Sequence, residues 1–222
     1  MRARLASLLF GGSCFLCRGA ASALLCDACE AELPRLQPPL CPRCALPSPR
    51  GEPCGRCLAE PPHYDATVAA LAYAFPADVL IQALKFRGEL ALAPLLGGFL
   101  SAKITSGVDL IIPVPLSRQR LKERGYNQAV EIARHLGRGK LIVSACERSR
   151  DTAPQLDLPF DERRRNVRGA FSCTTNLADF SIAVVDDVMT TGATLDEMAR
   201  TLKRAGAARV VNWVVARTLL DA

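Results

Sequence analysis

The stretch Ser181 to Thr194, Ser-Ile-Ala-Val-Val-Asp-Asp-Val-Met-Thr-Thr-Gly-Ala-Thr, constrains this chain more tightly than any other. Ile182 to Val185 is a short apolar run rich in β-branched residues, the pattern of a strand buried in a parallel sheet. Asp186 and Asp187 stand where that strand is expected to end. Thr190, Thr191, Gly192, Ala193 and Thr194 follow, and a helical pattern runs from Leu195 to Ala205. Unpaired main-chain N–H groups at a helix start, aligned with the helix dipole, make an anion site. Gly192 lets the main chain approach the anion closely, and the threonine hydroxyls add donors without adding charge. The paired carboxylates can accept hydrogen bonds from a diol. A ligand with a phosphate near two sugar hydroxyls satisfies both halves, and ribose 5-phosphate is such a ligand. A simple helix cap by Asp187 explains one carboxylate, but not the second together with Thr-Thr-Gly-x-Thr. No G-x-x-x-x-G-K-[ST] occurs, so a P-loop ATPase fits poorly.

The stretch resembles the ribose-phosphate-binding signature of the type I phosphoribosyltransferases, enzymes that use phosphoribosyl pyrophosphate (PRPP). In that family an acidic pair holds the ribose 2- and 3-hydroxyls and the following loop holds the 5-phosphate. The resemblance implies that Asp186 and Asp187 are the catalytic-site carboxylates. It gives Thr190, Thr191, Gly192, Ala193 and Thr194 to the phosphate.

The other strong pattern is at the opposite end. Of ten cysteines in 222 residues, eight form four C-x-x-C pairs: Cys14/Cys17, Cys26/Cys29, Cys41/Cys44 and Cys54/Cys57. That is metal-ligand spacing rather than a secreted disulfide framework. Two thiolates three apart grip one side of a tetrahedral ion, and a second pair completes it. Consecutive pairing gives one zinc on Cys14, Cys17, Cys26 and Cys29, and a second on Cys41, Cys44, Cys54 and Cys57. A cross-braced arrangement is open on spacing alone; the short loops between consecutive pairs favour the first arrangement. Four ligands per ion leave no open position, so the zinc, one ion or two, is expected to be structural. Cys146 and Cys173 stand apart and read as buried small hydrophobes. The apolar run at 1–10 is too short for a secretory signal, and no run is long enough to span a bilayer. A reducing, cytoplasmic location without membrane insertion is expected.

Between these ends the net charge of +6 is unevenly spread. Residues 115–170 carry thirteen basic and seven acidic groups, so the whole excess lies there. Such a segment suits an anionic partner.

Taken in order, residues 1–60 form the Cys-rich zinc module, 61–107 a linker with hood helices, and 108–222 the main domain. Residues 66–75 read as a strand, with their alanines leaving a helix open. Asp78 looks like the cap of a helix through Phe86, and Leu90 to Ile104 reads as a second helix. Lys85, Phe86 and Arg87 either reach a ligand or are solvated at a helix end. Val108 to Val114 is a strand ending in Pro113-Val114-Pro115. Ser117 to Gln128 carries Arg118, Arg120, Lys122 and Arg124 as a loop facing pyrophosphate or solvent, then a helix reaches about Leu136. Further strands are expected at 140–143 and 209–216, with a short one at 169–173. Between them, a polar connection holding Arg148, Arg150, Arg163, Arg164 and Arg165 reads as a lid. Strands alternating with helices give an α/β fold, a doubly wound parallel sheet with its ligand at the strand C-termini.

With these motifs together, the chain resembles the ComF family, which includes the ComFC and GntX proteins of bacteria. The resemblance rests on the C-x-x-C pairs, L-K-F-R-G at 84–88, P-V-P at 113–115 and R-G-Y-N-Q at 124–128. It continues through R-x-R-x-T-x-x-Q at 148–155, R-x-N-x-x-G-A-F at 164–171 and V-V-D-D-V-x-T-T-G. It implies a cytoplasmic, zinc-bearing protein of phosphoribosyltransferase fold, associated with DNA uptake in natural transformation or with use of DNA, alongside other DNA-uptake proteins. Many relatives carry fewer cysteines, which bears on the second zinc site.

Two functional classes follow. An enzyme would bind PRPP with Mg²⁺ and transfer the ribose phosphate, with Arg118 to Arg124 on the pyrophosphate. A binding protein would keep the fold and hold single-stranded DNA by the basic excess, with salt-sensitive affinity. Tyr126, Phe160 and Phe171 would be its stacking aromatics. No residue stands out as a general base, and nothing names an acceptor.

Overall fold

The computed structural model describes residues 12–149 and 167–219. The chain opens with a two-stranded hairpin, β1 (Gly12–Ser13) and β2 (Ala20–Ala21), followed by the short helices α1 (Asp27–Ala31) and α2 (Gly55–Ala59). Next come β3 (Ala66–Ala72), α3 (Ala77–Phe86), α4 (Leu92–Ser101) and β4 (Leu110–Pro113). Then follow α5 (Arg118–Arg124), α6 (Gln128–Ala133), β5 (Lys140–Leu141), β6 (Cys146–Arg148) and β7 (Phe171–Cys173). The described part ends with β8 (Ser181–Met189), α7 (Ala193–Arg204) and β9 (Arg209–Arg217).

Five strands make one parallel sheet in the order β3-β9-β8-β4-β5. Its centre is the apolar run that the sequence marks: Ile182, Ala183, Val184 and Val185 are fully buried. The buried Asn212 side chain on β9 donates through Nδ2 to the Thr67 hydroxyl on β3, at 3.2 Å, while its Oδ1 has no hydrogen-bond partner among the described residues. One face of the sheet, with Ile111, Val185, Val211, Trp213 and Val215, is covered by α3, α4 and α6. The other, with Ile112, Ile182, Val184, Val210 and Val214, is covered by α7. This is the doubly wound arrangement expected from the sequence.

The edge strand β3 belongs to the 61–107 segment, so this segment supplies part of the sheet as well as the two helices. Its alanines are compatible with a strand because Pro34 to Leu36 cover its outer side. The Leu36 N–H donates to the Ala70 carbonyl at 3.1 Å, and the Ala72 N–H donates to the Pro34 carbonyl at 2.7 Å. An otherwise open edge is thereby paired by the Cys-rich segment.

Several boundaries differ from those expected. The N-cap of α3 is Pro76; Asp78 lies in the first turn and accepts from the Val79 N–H. The second helix is shorter than 90–104, and β5 is only two residues long. Arg118 to Arg124 is a helix rather than a loop, because Ser117 caps its start and Gly125, at φ 80°, closes its end. Cys146 and Cys173 do not stand apart: they face each other across β6 and β7. Cys146 is buried, and burial pushes its thiol well up.

The positions of α6 and α7 decide where a ligand can sit. After β4 the chain crosses one face through α6 to β5; after β8 it crosses the other through α7 to β9. The order of connection therefore reverses between β4 and β8, and such a switch point opens a crevice at the strand C-termini.

Candidate functional site

Both sides of that crevice carry chemistry. β4 stops at Pro113, which pairs with Val185, so Asp186 and Asp187 emerge beside the end of β4. They lie inside β8, which runs on to Met189, and not at its end as expected, because β9 stays paired with β8 as far as Met189 and Arg217. Asp186 is half-buried and accepts from the Asp187 N–H at 2.9 Å. Asp187 is 3% exposed and accepts from the Val188 N–H at 3.0 Å. Lys85, at the C-terminal end of α3, places its ammonium 3.0 Å from Asp187 Oδ2 as an ion pair. The same oxygen has no well-directed hydrogen bond, which leaves it acceptor capacity.

The two carboxyls are pushed apart electrostatically. Burial, then the Asp187 charge, raises Asp186 well above the usual carboxylate range. Burial alone would raise Asp187 too, but the Lys85 ammonium and its hydrogen bonds reverse this and hold it low. Asp187 in turn raises Lys85. Two adjacent carboxyls share their protons as a unit, and Lys85 makes Asp187 the charged member.

Beyond β8 the chain turns through Thr190 and Thr191 into α7. Gly192 is the N-cap, at φ 86°, where an added Cβ would lie 2.7 Å from Met189 Cε and 3.2 Å from the Tyr64 hydroxyl. The Thr191 hydroxyl accepts from the Ala193 N–H at 3.3 Å. Thr190 and Thr194 are half-buried. First-turn amides of a helix have no intrahelical acceptor, so α7 presents the donor end the sequence predicts. A cavity of about 90 Å³ lies against Thr191, Gly192 and Ala193, walled on its other side by Arg56, Tyr64 and Arg217. A wider groove of about 640 Å³ along α7 is lined by Arg168, Arg200 and Lys203, among others. Arg200 there is paired with Glu197, and Lys203 with Asp65, so these cations are largely neutralised.

The expected basic residues divide. Arg118 and Lys122 on α5 are exposed and Arg120 is half-buried. Arg124 turns inward: it donates to Gln128 Oε1, and its guanidinium lies 5.5 Å from the Phe86 ring centre, next to Lys85. Arg148 lies over Phe171, 5.5 Å from its ring centre. Arg150, Arg163, Arg164 and Arg165 lie outside the described residues, as does the connection read as a lid beyond its first two residues, Arg148 and Ser149. The motif around Arg124 also fixes the crevice wall. The Tyr126 hydroxyl donates to the Leu84 carbonyl, just before Lys85. Asn127 caps α6 by accepting from the Ala129 N–H at 2.9 Å and donates to the Val114 carbonyl at 3.0 Å.

At the other end, the sulfurs of Cys14, Cys17, Cys26 and Cys29 all lie within 4.8 Å of one another, as do those of Cys41, Cys44, Cys54 and Cys57. Cys17 and Cys26 sulfurs are 3.7 Å apart, and those of Cys44 and Cys54 are 3.6 Å apart. A tetrahedral zinc with Zn–S near 2.3 Å requires sulfur separations of about 3.8 Å, so both clusters fit zinc. Main-chain N–H groups of Cys17 and Cys26 draw the Cys14 thiol down to about 6, toward the thiolate that a metal needs. The pairing is consecutive, not cross-braced, and both sites are structural.

Two residues escaped the sequence reading, and a third was read without its partner. Lys85 was expected either to reach a ligand or to be solvated at a helix end, and its pairing with Asp187 was not foreseen. Arg56 carried no signal beyond lying between Cys54 and Cys57. Arg217 was signalled only as a charge closing the apolar run of β9, yet it is fully buried.

Comparison with known proteins agrees with this architecture. Residues 5–58 match the double zinc ribbon domain family, and residues 121–218 match the phosphoribosyl transferase domain family. The chain is 39% identical to the DNA utilization protein YhgH of Escherichia coli O157:H7, over 94% of this chain and 98% of that protein. It is 33% identical to competence protein F of Haemophilus influenzae, with the same coverage of each. Competence protein ComFC of Bacillus subtilis is 26% identical over 85% of this chain and 81% of that one. Among the described residues, no helix is long and apolar enough to cross a membrane.

Proposed function

From the premise that the chain belongs to the ComF family of competence and DNA utilization proteins, we propose that it binds PRPP, or a related ribose phosphate, in the service of DNA uptake or DNA use. The observation that carries this reading is the crevice between β4 and β8. Paired carboxylates on one strand are followed directly by the donor end of a helix. From Asp187 to the end of β8 is two residues, roughly 7 Å of strand, close to the span between a ribose 5-phosphate and its ring hydroxyls.

In this reading Asp186 and Asp187 accept hydrogen bonds from the 2- and 3-hydroxyls, and Thr190 to Thr194 hold the 5-phosphate. The diol displaces the Lys85 ammonium from Asp187 and leaves it, with Arg124, facing the pyrophosphate side. Mg²⁺ bound with PRPP would neutralise that pyrophosphate. The exposed cations of α5 extend the positive surface outward and suit single-stranded DNA as the second, salt-sensitive partner. Other DNA-uptake proteins are further partners in this reading, and the cytoplasm is its location.

A calorimetric titration of the purified protein with PRPP and Mg²⁺, with and without single-stranded DNA, tests it. Saturable PRPP binding that weakens in Asp187→Asn is expected. DNA retention that falls with salt while PRPP fails to bind would replace this reading with a DNA-binding one.

A further inference from the structure

The second cysteine cluster is built against the phosphate loop; the first is not. Cys14, Leu25 and Leu33 pack with α3 and α4 on one face of the sheet, whereas Cys41, Cys44 and Cys57 join the core on the α7 face. From that side, Arg217 spans the gap. Its guanidinium, fully buried, donates to the Cys44 carbonyl at 2.8 Å, to the Met189 carbonyl at 2.9 Å and to the Thr190 carbonyl. Arg56, between the two ligands Cys54 and Cys57, donates to the Thr191 carbonyl at 2.9 Å. His63, in the short connection after this cluster, donates its N–H to Asp196 on α7 at 2.6 Å. Three successive carbonyls, of Met189, Thr190 and Thr191, are thus held by guanidinium groups anchored on the knuckle.

Those carbonyls point away from the main-chain N–H groups of the same peptides. Because a peptide is planar, fixing each carbonyl also fixes the direction of the following N–H. A buried guanidinium with several carbonyl acceptors is costly to leave unsatisfied, so the knuckle and the loop hold each other in register. We propose that the second zinc knuckle positions the ribose-phosphate loop, with Arg56 and Arg217 as its positioning residues, so that zinc at Cys41, Cys44, Cys54 and Cys57 is required for a preformed phosphate cradle. Zinc at the first cluster is not. The functional half of this statement rests on reading 190–194 as the phosphate cradle.

Amide hydrogen exchange across 189–195, measured on the full-length zinc-loaded protein without ligand, tests the coupling independently of that reading. Arg56→Ala should retain two zinc ions per chain yet speed exchange in this segment about tenfold, the effect of losing one hydrogen bond to a charged group. Arg56→Lys should recover part of the protection. Cys54→Ser should loosen the same segment, while Cys26→Ser should leave it as protected as in the parent protein. Inorganic phosphate and PRPP affinity should fall in parallel with the exchange. Unchanged exchange in both Arg56→Ala and Cys54→Ser would overturn the coupling, as would equal loosening by Cys26→Ser. If the parent protein binds no PRPP but the exchange pattern holds, the coupling stands and the ribose-phosphate reading fails.

Discussion

At 3.0 Å from Asp187, the Lys85 ammonium compensates a buried negative charge, and removing it has an effect whose size depends on pH. In the parent protein Asp187 is lowered on folding, so it contributes stability above its unfolded pKa and loses it as pH falls through the folded value. In Lys85→Met, burial is no longer offset by the ammonium and pushes the Asp187 carboxyl above its unfolded value. A raised carboxyl favours the fold at low pH and disfavours it as pH rises through the folded pKa. The variant is therefore expected to be about 1–3 kcal/mol less stable at pH 7, less than a fully buried pair because Lys85 is partly exposed. The gap should narrow toward pH 4, as read by urea denaturation across that range; a gap independent of pH would contradict the pairing. Gly192→Ala tests the loop. Met189 can swing away from the new methyl, but φ 86° remains, so a loss of about 1–2 kcal/mol is expected in the same assay. The acidic pair and Gly192 were legible in the sequence because their spacing and residue types admit few alternatives. The pairing of Lys85 with Asp187 was not, since a lysine at a helix end has the same appearance whether it meets solvent or a carboxylate far away in the sequence.

At the level of elements, the sequence was most informative where one physical demand dominated. β8 was marked by the apolar run Ile182 to Val185, and β9 by one interrupted at Asn212, and burial on both faces made them so. The ends of strands were less legible: whether β8 stops at Val185 or Met189 depends on its pairing with β9, which is not a local property. The segment 118–124 failed for the same reason in reverse. Its charges suggested a loop, but Ser117 and Gly125 supply both helix ends, and charged residues are good helix formers. Asn127 connects two elements at once, capping α6 and holding the Val114 carbonyl at the end of β4. Asn127→Ala is accordingly expected to cost about 1–2 kcal/mol by chemical denaturation, more than a cap alone. Asn127→Asp, which keeps the cap and loses the donor to Val114, should recover only part of it.

Across the whole molecule, the Cys-rich segment acts on the sheet from both sides. It pairs the open edge of β3 through Pro34 to Leu36 and braces the loop after β8 through Arg56 and Arg217. Zinc analysis should therefore return two ions per chain, and chelation should expose the β3 edge and promote association, visible as light scattering that zinc-loaded protein lacks. A chelated protein that stays monomeric would show that the edge needs no such cover. The four C-x-x-C pairs made the two clusters legible at once; their attachment to opposite faces of one sheet is a tertiary fact that no spacing encodes.

The central claim is that carboxylates and helix amides together grip a ribose phosphate, and comparing ribose 5-phosphate with 2-deoxyribose 5-phosphate by calorimetry tests it most directly. The two ligands share the phosphate and differ by one hydroxyl. If the acidic pair accepts from that hydroxyl, the deoxy sugar should bind roughly 10- to 100-fold more weakly, the worth of a hydrogen bond to a charged group, and Asp187→Asn should abolish most of the difference. Equal affinities for the two sugars would contradict the account.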